Sequence, residues 1–159
     1  MRTYAKYVIS RRRALDLLPE LAGADGTRVA AVGFSFGSAV TGTLVGVDHR
    51  LKAAVIQSGP AHHAAAVRDF CARLGRHRLA AYLEELSVVD PVNYVGRAAP
   101  TSLLFQNGTQ DGCSPRTDVN AYVKAASAPK EQRWYRAGHG LNARAFAYRD
   151  AWLARHLLG

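Results

Sequence analysis

Residues 28–38, RVAAVGFSFGS, decide how the whole chain is read. From Val29 to Val32 the run is apolar and unbroken, and Gly33 closes it, the pattern of a strand buried on both faces in a parallel sheet. Behind it, Phe36 to Val45 is small and apolar enough to pack as a helix on that sheet. Residues 51–60, LKAAVIQSGP, then carry a second buried strand from Leu51 to Ser58. Strand, helix, strand in that order is the βαβ unit.

Working outward from this unit fixes the rest. Upstream, Tyr4, Tyr7, Val8, Ala14, Leu15 and Leu18 recur at helical steps, so 4–21 reads as an amphipathic helix with Arg11, Arg12 and Arg13 toward water. Asp25-Gly26 supplies the turn into the first strand. Downstream, 60–99 shows no strand pattern and holds helical segments near Ala61 to Leu74 and Leu79 to Leu86; this excursion is expected to form a helical lid. A strand follows at Thr101 to Gln106, a helix from Asp118 to Ala126, a short strand at Gln132 to Tyr135 and a closing helix from Arg144 to Leu157. The alternation specifies a single α/β domain over 1–159, a three-layer sandwich with a mostly parallel sheet and ligands beyond the strands' carboxyl ends.

Composition narrows the function classes. With 159 residues, 48% hydrophobic and 21% charged, the chain can bury a core and is not globally disordered. No apolar run approaches the ~18 residues of a membrane span, and the amino terminus has no secretory pattern, so a cytoplasmic protein without a membrane partner is expected. Cys71 and Cys113 are far apart without ligand spacing, which indicates neither a disulfide nor a zinc site. The net charge is +9, but 17 of the 21 cations are arginines scattered from Arg2 to Arg155, so no nucleic-acid partner is expected.

The chemistry starts at Gly33-Phe34-Ser35-Phe36-Gly37, a G-x-S-x-G sequence set between strand and helix. A serine at so sharp a turn needs little bulk two residues to either side, which both glycines provide. The helix start behind it aims amides at the same point, and the Phe36 N–H is the expected oxyanion donor. A serine hydroxyl needs a base, and the base needs an orienting acid. Asp111 follows one strand in Gly-Thr-Gln-Asp, and His139 follows the last strand between Gly138 and Gly140, whose freedom should let it project. Asp90 and Asp118 are rival acids, Asp90 expected to cap a turn before Pro91 and Asp118 to occupy a helix's first turn. Phe34, His62 and His63 are expected to touch substrate, and Cys113 to have no thiol chemistry.

The segments RVAAVGFSFGS, LKAAVIQSGP, SLLFQNGTQDGCSP (102–115) and RWYRAGHGLN (133–142) together resemble the α/β-hydrolase superfamily, and within it the dienelactone-hydrolase-like bacterial esterases. The order Ser35, Asp111, His139 matches that superfamily's order. The resemblance implies a serine hydrolase that cleaves a small or medium-sized carboxylic ester through an acyl-enzyme, without metal or cofactor. A prolyl-oligopeptidase-like peptidase shares these motifs, although no propeller-like segment is present. The superfamily places about four further strands and often a glycine-rich oxyanion loop before the serine strand, whereas 27 residues precede Arg28 here. The chain is therefore expected to correspond to the fold's carboxyl-terminal part, with its first strand on an open edge that a second copy or an amino-terminal segment would cover. An inactive remnant serving as an interaction module is the competing expectation.

Overall fold

The computed structural model describes residues 2–67 and 76–159, and four strands in it pair into one wholly parallel sheet. They are β1 (Ala30–Phe34), β2 (Ala53–Gln57), β3 (Ser102–Gly108) and β4 (Lys130–Tyr135), laid side by side in chain order. Register sets Phe34 beside Gln57 and Gln57 beside Gln106, so the serine turn and the loops after β2, β3 and β4 leave the sheet at one rim. The helices are α1 (Arg2–Leu17), α2 (Phe36–Val45), α3 (His63–Ala66), α4 (Arg76–Ser87), α5 (Arg116–Ala125) and α6 (Ala143–Leu158). Among the described residues no helix is long and apolar enough to cross a membrane.

Side chains alternate across the sheet and feed two cores. One face sends Ala54, Ile56, Leu103 and Phe105 into a cluster with Val40 and Leu44 of α2, Tyr4 and Val8 of α1, and Tyr122 of α5. The other sends Ala53, Val55 and Leu104 against Trp152 of α6. These two faces give the three layers expected. Each large apolar side chain so buried contributes about 1.5–3 kcal/mol, and β2, whose five residues are all buried, is the axis of both cores.

The open edge expected for the first strand is present, and it overrides the reading of its apolar run as buried on both faces: Val32 is 47% and Phe34 45% exposed. The cause is position: β1 is an edge strand with β2 as its one neighbour. The Val29 carbonyl accepts from the Lys52 amide at 2.9 Å and the Ser35 amide donates to the Gln57 carbonyl at 2.9 Å. Residues 29, 31, 33 and 35 thus face β2, and the N–H and C=O groups of Ala30, Val32 and Phe34 point away from it. Beside this open edge a groove of about 480 Å³ runs between β1 and α1, lined by Tyr7, Leu15, Leu18, Val29 and Val40.

The stretch 60–99 is free of strands among its described residues. The helix expected over 61–74 is seen as α3 alone, with Arg68 to Gly75, and hence Cys71 and Arg73, outside the described residues. Asp90 does not cap the turn it precedes; its buried carboxylate accepts the Ala64 amide at 2.8 Å and ties α3 to the main body.

Candidate active site

Ser35 occupies the β1–α2 turn with φ 54° and ψ −117°, a conformation that costs a non-glycine residue roughly 1–3 kcal/mol and persists only when its surroundings hold it. The Gln57 carbonyl holds the Ser35 amide, while the Ser35 carbonyl accepts both the amide (3.0 Å) and the hydroxyl (2.6 Å) of Ser38. A Cβ on Gly33 would collide with the carbonyl of Gly37 and the hydroxyl of Thr41, so only glycine lets strand and helix approach this closely. Gly37 differs from expectation: a Cβ there meets open space, and the residue lines the groove beside β1. Phe36 is the first residue of α2, directly after Ser35, so its N–H lacks an intrahelical acceptor.

His139 Nε2 stands 2.9 Å from Ser35 Oγ, and His139 Nδ1 stands 3.0 Å from each carboxylate oxygen of Asp111. A carboxylate can only accept, so the network assigns the ring proton to Nδ1 and leaves the Nε2 lone pair facing the serine hydroxyl. The Asp111 side chain is 1% exposed and His139 29%, an arrangement with the acid inside and the imidazole at the surface of the pocket. Asp111 Oδ1 also accepts the backbone N–H groups of Cys113 (2.8 Å) and Ser114 (3.3 Å). The rival acid Asp118 is engaged elsewhere, accepting the Ala61 amide at 2.8 Å from the first turn of α5.

How His139 is carried differs from the sequence expectation. Neither Gly138 nor Gly140 has a positive φ; the left-handed residue of the loop is Leu141, at φ 59°. The close approach is instead made at Gly108, where a Cβ would strike the carbonyls of Ala137 and Gly138. Ser58, fully buried at φ 48°, donates its hydroxyl to the His139 carbonyl at 2.7 Å, and its own carbonyl accepts the Ser114 hydroxyl at 3.1 Å. Ser58 therefore joins the loops bearing Asp111 and His139. Its identity as the residue straight after a buried strand was the one sequence signal that could have singled it out.

The pocket at Ser35 has a volume of about 390 Å³, with Phe36, Pro60, His63, Tyr82, Cys113 and His139 in its wall. His63 is buried, packs against Tyr4 and Phe36 at 5.6 and 5.1 Å between ring centres, and burial pushes its pKa below the ordinary histidine value, leaving it neutral at pH 7. The other two expected substrate contacts lie elsewhere. His62 turns outward to Asp118, Nδ1 to Oδ1 at 2.5 Å, because that carboxylate already holds the loop backbone. Phe34 lines the β1 groove and rests on the His139 ring at 5.0 Å, since alternation along β1 sends it away from the pocket. Among the described residues, Asp111, Cys113 and His139 are the group able to hold a metal ion.

No protein-family model matches the chain, and no curated protein is similar to it in sequence. Solved structures are similar to it in fold. The acetyl xylan esterase of Paenibacillus sp. R4 superposes with a TM-score of 0.79 at 23% identity, covering 98% of this chain and 52% of that one. Acetyl xylan esterase 1 of Thermoanaerobacterium sp. JW/SL YS485 gives 0.77 at 18% identity, over 96% and 52%. The α/β hydrolase GrgF of Penicillium sp. sh18 gives 0.75 at 18% identity, over 98% and 73%. The chain has the α/β-hydrolase fold seen in esterases, and it spans about half the length of the two acetyl xylan esterases.

Proposed function

We propose that the chain is a serine hydrolase of carboxylic esters, with Ser35 as nucleophile, His139 as base and Asp111 as orienting acid. The observation that carries this reading is the continuous hydrogen-bonded path from Ser35 Oγ through both nitrogens of His139 to the buried Asp111 carboxylate. Few structural requirements would bring these three side chains together at a strained turn facing a pocket. The esterase neighbours agree with it.

In this mechanism the ester carbonyl enters beside Phe36. His139 Nε2 takes the hydroxyl proton as Ser35 Oγ attacks, and Asp111 stabilises the imidazolium through Nδ1–H. The Phe36 N–H and the α2 amino terminus receive the negative oxygen. Collapse breaks the ester C–O bond and His139 returns the proton to the departing alcohol. Water then repeats the sequence on the acyl-enzyme and releases the acid. A pocket of about 390 Å³ fits a small or medium-sized, partly apolar substrate, with His63 as a neutral hydrogen-bonding wall and α3 and α4 as a lid.

The test is mass spectrometry after incubation with a fluorophosphonate, on wild type, Ser35→Ala and His139→Ala. An adduct on Ser35 that disappears in both variants is expected. A folded wild-type chain that takes no label would reject the reading, and it would favour an interaction role, for which the open β1 edge is the supporting observation.

A further inference from the structure

Cys113 has no part in the mechanism above, yet it shares the pocket wall with Ser35 and His139. It is a free, exposed thiol. One potential ligand atom from each of Asp111, Cys113 and His139 lies within 4.8 Å of the other two. Tetrahedral zinc with Zn–S near 2.3 Å and Zn–N or Zn–O near 2.0–2.1 Å needs its ligand atoms about 3.3–3.6 Å apart. The adjustment is roughly 1 Å, within reach of an exposed cysteine side chain. The Asp111 backbone-to-side-chain turn, in which the Cys113 amide donates to Oδ1, keeps the two residues in register, and His139 is the single protein partner of Oδ2 among the described residues.

From this juxtaposition we infer that Asp111, Cys113 and His139 form an inhibitory site for a soft divalent cation of the Zn2+ type. The donor set of one thiolate, one imidazole and one carboxylate suits zinc and not the hard cations Mg2+ or Ca2+. The inference rests on the proposed hydrolase reading only for its consequence. On binding, the Cys113 thiol loses its proton to water and the sulfur pair goes to the metal. His139 ligates through Nδ1, the nitrogen that faces the Asp111 carboxylate, so the ring proton shifts to Nε2 and meets Ser35 as a donor instead of an acceptor. Ser35 thereby loses its base, and the cation acts as a reversible off-switch.

No spacing signal announces this site, since Asp111 and Cys113 lie two residues apart in one loop and His139 joins them only through the strand order. It runs against the expectation from spacing that Cys113 has no thiol chemistry and belongs to no zinc site.

The experiment titrates Co2+ and then Zn2+ into the metal-free full chain. A near-ultraviolet thiolate-to-cobalt charge-transfer band should appear, be bleached by Zn2+, and be lost in Cys113→Ser and Cys113→Ala. In parallel, Zn2+ should block fluorophosphonate labelling of Ser35 and a chelator should restore it. Each Cys113 variant, measured against its own metal-free rate, should need at least about tenfold more Zn2+ for half inhibition. Mg2+ should have no effect. Absence of the band in wild type, or zinc inhibition undiminished in both variants, overturns the site. A Cys113-dependent band in a chain that never labels at Ser35 upholds the metal site and rejects the hydrolase reading instead.

Discussion

At the scale of single residues, the two glycines of the serine turn carry opposite expectations. Gly33→Ala drives a methyl into the Gly37 carbonyl, which is backbone and cannot rotate away. We expect it to cost about 2 kcal/mol or more in urea unfolding and to abolish Ser35 labelling. Gly37→Ala enters open space at the second position of α2. It should leave labelling intact and change stability by less than about 1 kcal/mol in the favourable direction. Ser58→Ala, which removes the donor to the His139 carbonyl, should lower kcat about tenfold with KM nearly unchanged, because it loosens the loop of the proposed base, His139, without touching the pocket wall. Equal loss in kcat and gain in KM would contradict that role. The juxtaposition of Ser35, Asp111 and His139 was legible because Ser35 sits in a motif with fixed glycines and the other two directly follow strands in the matching order. Ser58, Gly108 and Leu141 were not, because their task is set by loops that meet only once the sheet has formed.

At the scale of elements, α1 is clamped to the rest of the chain by charge as well as by Tyr4 and Val8. The Asp48 carboxylate, 3% exposed, accepts from Arg50 at 2.6 Å and from Arg12 of α1 at 3.1 Å, and these hydrogen bonds hold its pKa far below the usual carboxylate range. A lowered folded-state pKa means that the stabilisation is complete above the unfolded value near 4 and is lost as pH falls below it. Asp90 has the opposite sign: burial raises its pKa, so its ionised form opposes folding at neutral pH and protonation on acidification relieves that cost. Asp48→Asn should cost about 1–2 kcal/mol at pH 7, both arginines being half exposed, and progressively less toward pH 3. Asp90→Asn, which keeps an acceptor for Ala64, should be neutral or stabilising at pH 7. Urea unfolding as a function of pH separates the two. The elements themselves were legible from periodicity, β2, β3 and α2 most closely. Periodicity could not show that β1 is half exposed, because a continuous apolar run reads the same whether one neighbouring strand is present or two.

For the whole molecule, two properties act against each other. The free edge of β1 offers the outward N–H and C=O groups of Ala30, Val32 and Phe34, together with exposed Val32 and Phe34 side chains, to any strand that arrives. Against this, every copy carries a formal charge of +9, which keeps copies apart at low ionic strength. Salt shortens the screening length to about 8 Å at physiological strength, so it weakens the repulsion while leaving hydrogen bonding and apolar burial largely intact. Sedimentation velocity should therefore show the chain associating more as salt and protein concentration rise. Most ion-pair interfaces would do the reverse. Val32→Lys places a charge on the edge at a site already half in water, so it should leave the unfolding midpoint nearly unchanged while suppressing the salt-induced association. Association of that variant to the same extent as wild type would mean that contact is made through another surface, and the apolar groove between α1 and β1 would be the next to alter, by Leu15→Glu.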